Sequence, residues 1–416
     1  MNWVALVVCL LILARWAAEV WLSNLNRRHV LAHADAVPAA FRGIVDEPTY
    51  KKSVAYTLAK ARFGNIEETY GVIVLMVILF SGVLPFVFHF FAHHHGTSAW
   101  TMAAFLFTVG FAMSLPGLPL DWYAQFRLEE KFGFNTSTQK TWWLDRVKGL
   151  LLAIMLGYPL LVLILKIVEW TGAAWSLWAW GAMLVFQSLM LVLAPVLIMP
   201  LFNKFTPLPE GSLRDRLLNL AQRTSFVANS IQVMDGSKRS RHSNAFFTGF
   251  GRFRKIVLFD TLISQLSEPE LEAVLAHEIG HFKKKHIPKM LVFSAFSSLA
   301  GFYVVSVLAK QHWFYGAFGF ETTTTIAPVL LLFTLLSGVV MFWFSPLAHW
   351  WSRRYEYEAD AFAAGVMNEP QSLIGALRKL NEKNLSNLTP HPLYSGFYYS
   401  HPTLVEREAA LTRQTT

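Results

Sequence analysis

Ser267–His286 reads SEPELEAVLAHEIGHFKKKH, and the rest of the chain is organised around it. Ser267 suits a helix N-cap and Pro269 a first turn, while Glu270, three residues past the cap, completes a capping box. The pattern predicts a helix, and inside it lies His277-Glu278-Ile279-Gly280-His281, an H-E-x-x-H motif. A spacing of four is a little over one helical turn, so both imidazoles leave one face and can grip one metal ion. Glu278 can reach a water in an open coordination position and take its proton. A surface helix that carries two His and one Glu by chance is the competing reading, so the context has to decide.

The chain has 416 residues, of which 54% are hydrophobic and 15% charged. Soluble domains carry about 25% charged residues, so this is the composition of a membrane protein. The single cysteine, Cys9, excludes an internal disulfide framework and a cysteine-based metal site. Any metal must be held by His and carboxylates. The net charge of +9 fits basic loops on the cytoplasmic side of a membrane, not nucleic-acid binding.

Working outward, the apolar runs predict seven spans. They lie near Trp3–Leu22, Gly71–Ala92, Trp100–Leu120, Gly149–Val168, Ala174–Leu201, Ile287–Leu308 and Ile326–Trp350. The first run could be taken for a signal peptide, but no basic region precedes it and its length suits a retained span. Arg15 and Glu19, four apart within it, should pair on a face turned toward other helices. The division is then a five-span membrane region with two cytoplasmic loops (1–201), a cytoplasmic segment with the H-E-x-x-H motif (202–286), two spans (287–350) and a C-terminal cytoplasmic segment (351–416). Ser23–Tyr70 is expected to be a polar, basic loop with amphipathic stretches.

The loops give an orientation. Arg27, Arg28, Arg42, Lys51, Lys52, Lys60 and Arg62 share one side with Arg127, Lys131, Lys140, Arg146 and Lys148. The short loops opposite contain Lys310 as their one basic residue. Positive-inside then puts the H-E-x-x-H segment and the C-terminus in the cytoplasm and the N-terminus outside. His93–His95 reads as part of an outer loop, since no spaced carboxylate accompanies it. No internal repeat, low-complexity tract or phosphate-binding glycine loop is present.

Within the insert, Leu213, Leu217, Leu218 and Leu220 mark a helix over Ser212–Thr224. Ile231–Met234 reads as a strand. Asn244–Gly249 and Lys255–Phe259 read as a hairpin around the turn Gly249–Arg252, leading into the H-E-x-x-H helix. An edge strand there could hold an extended peptide by backbone hydrogen bonds.

A catalytic zinc needs a third protein ligand and an open position. In the stretch Ser352–Asp360, SRRYEYEAD, Glu356 and Asp360 are four apart, so one helical face can present together a ligating carboxylate and another that accepts the free N–H of a ligand His. A charged juxtamembrane helix would look similar. Topology favours the metal reading: His281 stands about six residues before one span and Glu356 about six after the next, so both lie ~9 Å from the same membrane face.

Several longer motifs now carry a resemblance over nearly the whole chain. They are Phe126–Thr138 (FRLEEKFGFNTST), Ser243–Leu262 (SNAFFTGFGRFRKIVLFDTL), the H-E-x-x-H helix, Ser352–Ala364 (SRRYEYEADAFAA) and Tyr399–Leu411 with Ser400-His401-Pro402. In these the chain resembles the type I CAAX prenyl proteases, integral-membrane zinc endopeptidases that remove the last three residues of prenylated proteins. The resemblance implies one zinc ion on His277, His281 and Glu356, with Glu278 as general base. It implies that Asp360 orients a ligand His, that Asn244 lines the substrate cleft, and that His401 and Arg407 come close to the site. It also implies seven long helices around an intramembrane chamber, with a gluzincin-like metalloprotease domain at its cytoplasmic end.

Read from the residues, His401 is crowded by Tyr394, Tyr398 and Tyr399 and followed by Pro402, which points to a packed turn. There its imidazole could donate to the oxyanion of a tetrahedral intermediate. His286 falls off the ligand face and reads as an interface residue beside Lys283–Lys285. The expectation is therefore a mostly α, polytopic zinc metalloendopeptidase with a small β-hairpin. Its partners would be membrane lipid and a peptide or prenylated-protein C-terminus. An HtpX-type quality-control protease is a weaker match that lacks the extra spans. A non-catalytic membrane binding protein or translocon regulator would have no need of Glu278.

Overall fold

The computed structural model describes residues 2–227, 230–248, 255–321 and 325–413. Helix α1 (Trp3–Ala32) starts at Asn2, whose side chain accepts a hydrogen bond from the Val4 amide at 3.1 Å. Arg15 Nε and Glu19 Oε1 meet at 2.9 Å, as their spacing predicts. Helix α2 (Glu47–Phe80) is capped by Asp46, which accepts from the Thr49 amide at 2.7 Å. Much of the expected loop Ser23–Tyr70 is therefore helix. Tyr50, Ser53 and Tyr56 are buried on this polar half of α2, so tertiary packing stabilises a stretch that has no clean apolar stripe.

The expected span Gly71–Ala92 is not one helix. It breaks after Ser81 at Gly82, whose φ of +81° suits glycine, and resumes as α3 (Val83–His95). Helix α4 (Ala99–Ser114) and the continuation from α5 (Leu118–Tyr123) to Phe132 form a pair bent by 43°. Pro116, Gly117 and Pro119 sit at the bend and account for it.

Next come α6 (Gln139–Leu152), α7 (Tyr158–Thr171) and α8 (Trp175–Leu193). Five helical segments are long and apolar enough to cross a membrane, or six with the bent pair. One of the five, Gln139–Phe202, has 64 residues and turns at Gly172, φ +55°, where α7 and α8 fold side by side. The expected seven requires that segment to count twice and the bent pair once. Large apolar side chains such as Phe86, Trp100 and Val185 are exposed on these helices, as a lipid-facing surface requires.

The insert is a mixed four-stranded sheet of order β1-β2-β4-β3. Its strands are β1 (Phe205–Pro207), β2 (Ser230–Met234), β3 (Ala245–Thr248) and β4 (Lys255–Phe259). β2 and β4 are parallel, with Ile231 opposite Ile256. β3 and β4 form the expected antiparallel pair, with Ala245 opposite Leu258. The predicted turn Gly249–Arg252 lies outside the described residues. β1 was not anticipated, being three residues long and ending in proline.

Helix α9 (Ser212–Arg223) buries Leu217 and Leu220 in the same core as Leu258, Leu271, Ala276 and Ile279. The H-E-x-x-H helix is α10 (Glu268–Lys283). Helices α11 (His286–Leu308) and α12 (Ala327–Met341) go out and back, and α13 (Ser345–Met367) returns to lie along α10. Their contact is close at Gly280: a Cβ there would stand 3.0 Å from both Cα and O of Ala359. Helices α14 (Gln371–Lys383), α15 (Pro392–Tyr398) and α16 (Leu404–Arg413) complete this layer. Between α1, α2 and this C-terminal layer lies a cavity of about 940 Å³, lined by Glu19, Lys60, Glu68, Tyr398, His401 and Arg407 among others.

Candidate active site

The start of α10 is firmly seated. The capping box forms: the Ser267 amide donates to Glu270 Oε2 at 2.7 Å, and Lys379 from α14 reaches the same oxygen at 2.7 Å. Leu271, Leu275, Ala276 and Ile279 then bury one side of the helix. The other side turns His277 and His281 toward α13.

On α13 the carboxylate of Glu356 closes the triangle. Its Oε2 lies 3.5 Å from His277 Nε2 and its Oε1 3.3 Å from His281 Nε2. The two Nε2 atoms are 3.1 Å apart. One ligand atom from each of the three residues falls within 4.8 Å of the others. Glu356 Oε2 is buried with no hydrogen-bond partner among the described residues. Two imidazole nitrogens and a buried carboxylate converging on one point, with an oxygen left over, are the donor set a divalent cation satisfies. Burial works against charge on His277, yet hydrogen bonds to Asp360 and Glu356 push it up to about 9. Burial raises the pKa of Glu278, while His277 and His281 pull the other way.

Behind His277, Asp360 Oδ1 lies 2.8 Å from Nδ1. Arg407 from α16 grips Asp360 with two hydrogen bonds, Nε to Oδ2 at 2.8 Å and Nη2 to Oδ1 at 2.5 Å. Its Nη1 is also 3.7 Å from Glu356 Oε2. His401 lies between α15 and α16, with Nε2 at 3.4 Å from Glu356 Oε1 and Nδ1 at 3.0 Å from Ser400 Oγ. The expected packed turn is not what surrounds it. Tyr394 and Tyr398 pack on each other, and the His401 side chain is 63% exposed, facing the cavity. Asn244 stands apart from these contacts. It is exposed at the entry to β3, where its Oδ1 accepts from the Ala245 amide and its carbonyl from the Phe259 amide.

One residue was misread from sequence. His286 is no interface residue: it is buried, with Nδ1 at 3.0 Å from His281 Nδ1 and Nε2 at 3.1 Å from Glu358 Oε2. Helical periodicity misplaced it because Lys285, at φ +57°, breaks the helix just before it. The spacing of His281 and His286 was the available signal.

Two family models match the chain. "CAAX prenyl protease N-terminal, five membrane helices" covers residues 26–204, and "Peptidase family M48" covers 207–415. The chain is 37% identical to CAAX prenyl protease 1 of Saccharomyces cerevisiae, over 96% of this chain and 93% of that protein. It is 37% identical to the Oryza sativa homolog over 97% and 96% of the two chains, and 32% identical to the human homolog over 96% and 94%. The crystal structure of S. mikatae Ste24p superposes with a TM-score of 0.91 at 35% identity, covering 98% of this chain and 99% of that one. With relatives matching over nearly the whole chain and a His-His-Glu cluster brought together by α10 and α13, the chain belongs to the CAAX prenyl protease family of M48 peptidases and is an integral-membrane metalloendopeptidase.

Proposed function

We propose that this enzyme holds one zinc ion on His277, His281 and Glu356 and cleaves prenylated CAAX C-termini at the cytoplasmic face of a membrane. The observation that carries the reading is the convergence of those three side chains, their ligand atoms within 4.8 Å, beside a cavity of about 940 Å³. When bound, zinc supplies Lewis-acid polarisation of the scissile carbonyl and acidifies water. Glu278, held one residue past His277, takes the proton of the attacking water and passes it to the leaving amine. His401 faces the cavity and donates to the developing oxyanion. Asp360, clamped by Arg407, keeps His277 in the tautomer that leaves Nε2 free. Arg407 also lines the cavity, and we assign it a substrate contact. Asn244 opens the edge strand β3, along which an extended peptide can pair. Basic loops support seven spans with the N-terminus outside and the site facing the cytoplasm.

The test is hydrolysis by reconstituted, zinc-loaded protein of a farnesylated CAAX peptide against its non-prenylated twin. Release of the terminal tripeptide from the farnesylated peptide alone is expected. Equal cleavage of both overturns the prenyl requirement, and cleavage of neither overturns the substrate class.

A further inference from the structure

His286 is 1% exposed, and the H-E-x-x-H pattern does not account for it. Its place is set by Lys285, which joins α10 to α11 in the left-handed region that non-glycine residues seldom occupy. That turn folds the first residue of α11 back onto His281. The His286 ring is further confined by Tyr355, stacked on it at 4.0 Å and 11°.

Two facing Nδ1 atoms at 3.0 Å need one proton between them. His281 turns Nε2 toward His277 and Glu356. A His281 that ligates through Nε2 therefore carries its proton on Nδ1 and donates it to His286. His286, accepting at Nδ1, carries its own proton on Nε2 and donates it to Glu358 Oε2 at 3.1 Å. Each tautomer along the path is determined by its neighbour.

We infer that His286 is a positioning residue which, with Glu358, forms a carboxylate–imidazole–imidazole relay that holds His281 ready to bind the metal. This rests on the ligand assignment proposed above. The relay needs a second imidazole for a geometric reason. Asp360 is four residues from Glu356 and shares its face of α13, so it meets His277 directly. Glu358 is two residues from Glu356 and points well round the helix, so a side chain from another element must bridge to His281. His286 at the start of α11 is that bridge. One helix thereby supplies the ligating carboxylate and the carboxylates behind both histidines.

The test uses the full-length protein stripped of metal, with zinc affinity measured by chelator competition and the visible spectrum of the cobalt-loaded form. His286→Phe keeps the ring stack and removes both hydrogen bonds. It should weaken zinc binding about 10–100-fold and shift the cobalt spectrum. His286→Asn, whose amide oxygen replaces Nδ1 as acceptor, should recover most of the affinity, which a purely structural role would not predict. Glu358→Leu changes a residue whose side chain is 32% exposed and should weaken zinc in the same direction. It is the decisive arm if His286→Phe does not fold. Wild-type affinity and spectrum in either folded variant would overturn the relay. His281→Ala separates the two readings: it should lose zinc, and full zinc retention there would remove the ligand assignment itself.

Discussion

Glu278 and His401 both belong to the reaction on this reading, but they act at different moments. Glu278 is buried enough for its carboxyl pKa to rise, against the pull of His277 and His281, and it stands beside the metal cluster without being one of its three converging ligands. Glu278→Gln should therefore keep stoichiometric zinc and normal thermal stability while hydrolysis falls to near background, because the amide cannot accept the water's proton. Elemental analysis and peptide cleavage on the same preparation check it, and normal turnover sinks the role. His401 is open to the cavity and close to Glu356, so it can act on substrate without supporting the fold. His401→Ala should lower kcat by roughly 10²–10³-fold with KM and zinc content nearly unchanged. A kcat within about twofold of wild type on zinc-loaded protein would end that assignment. His277, His281 and Glu356 were legible because helical spacing and span parity act on single residues. The cavity-facing setting of His401 was not, because nothing in a run of tyrosines says which ring is displaced by empty space.

At the scale of elements, the site depends on two helices lying close enough to share a metal. Gly280 sets that approach, since a Cβ would meet the Ala359 backbone at 3.0 Å and Phe362 Cβ at 3.2 Å. Backbone yields less readily than a side-chain tip, so Gly280→Val should push α13 from α10. Overpacking of this kind costs about 1–3 kcal/mol. A lower Tm together with weakened zinc binding is expected; unchanged zinc affinity would mean that α13 tolerates the shift without moving Glu356. The start of α10 was legible, because its capping box and proline agree, but its end was not, since the break at Lys285 separates His286 from it. The polar half of α2 was not. Its Tyr50 and Tyr56 are buried while Lys60 and Glu68 line the cavity, so no face reads as wholly apolar or wholly wet. The break at Gly82 was hidden for the opposite reason, since the residues on both sides of it are uniformly apolar.

At the scale of the molecule, the helix ends that share a side follow from which of them the site holds together. Helix α11 leaves the site at His286 and runs 23 residues to Leu308, about 34 Å at 1.5 Å per residue. That matches a hydrocarbon core of about 30 Å, so Lys310 should emerge on the far side. The start of α6 is tied to the site's side, because Arg239 of the sheet insert bonds Asp145 at 2.8 Å and Asn135 bridges Ser240. Helix α14 is tied there too, through Lys379 and Glu270. On a Cys9→Ala background, Lys310→Cys should react with an impermeant thiol reagent from outside. Lys140→Cys and Lys383→Cys should react only once the cytoplasmic face is opened. The through-space ties put positions 140 and 383 on the site's side, and the basic loops support our proposal that this side is cytoplasmic. External labelling at position 383 would overturn the cytoplasmic assignment, and would move the peptide-cleaving chemistry to the opposite face of the membrane.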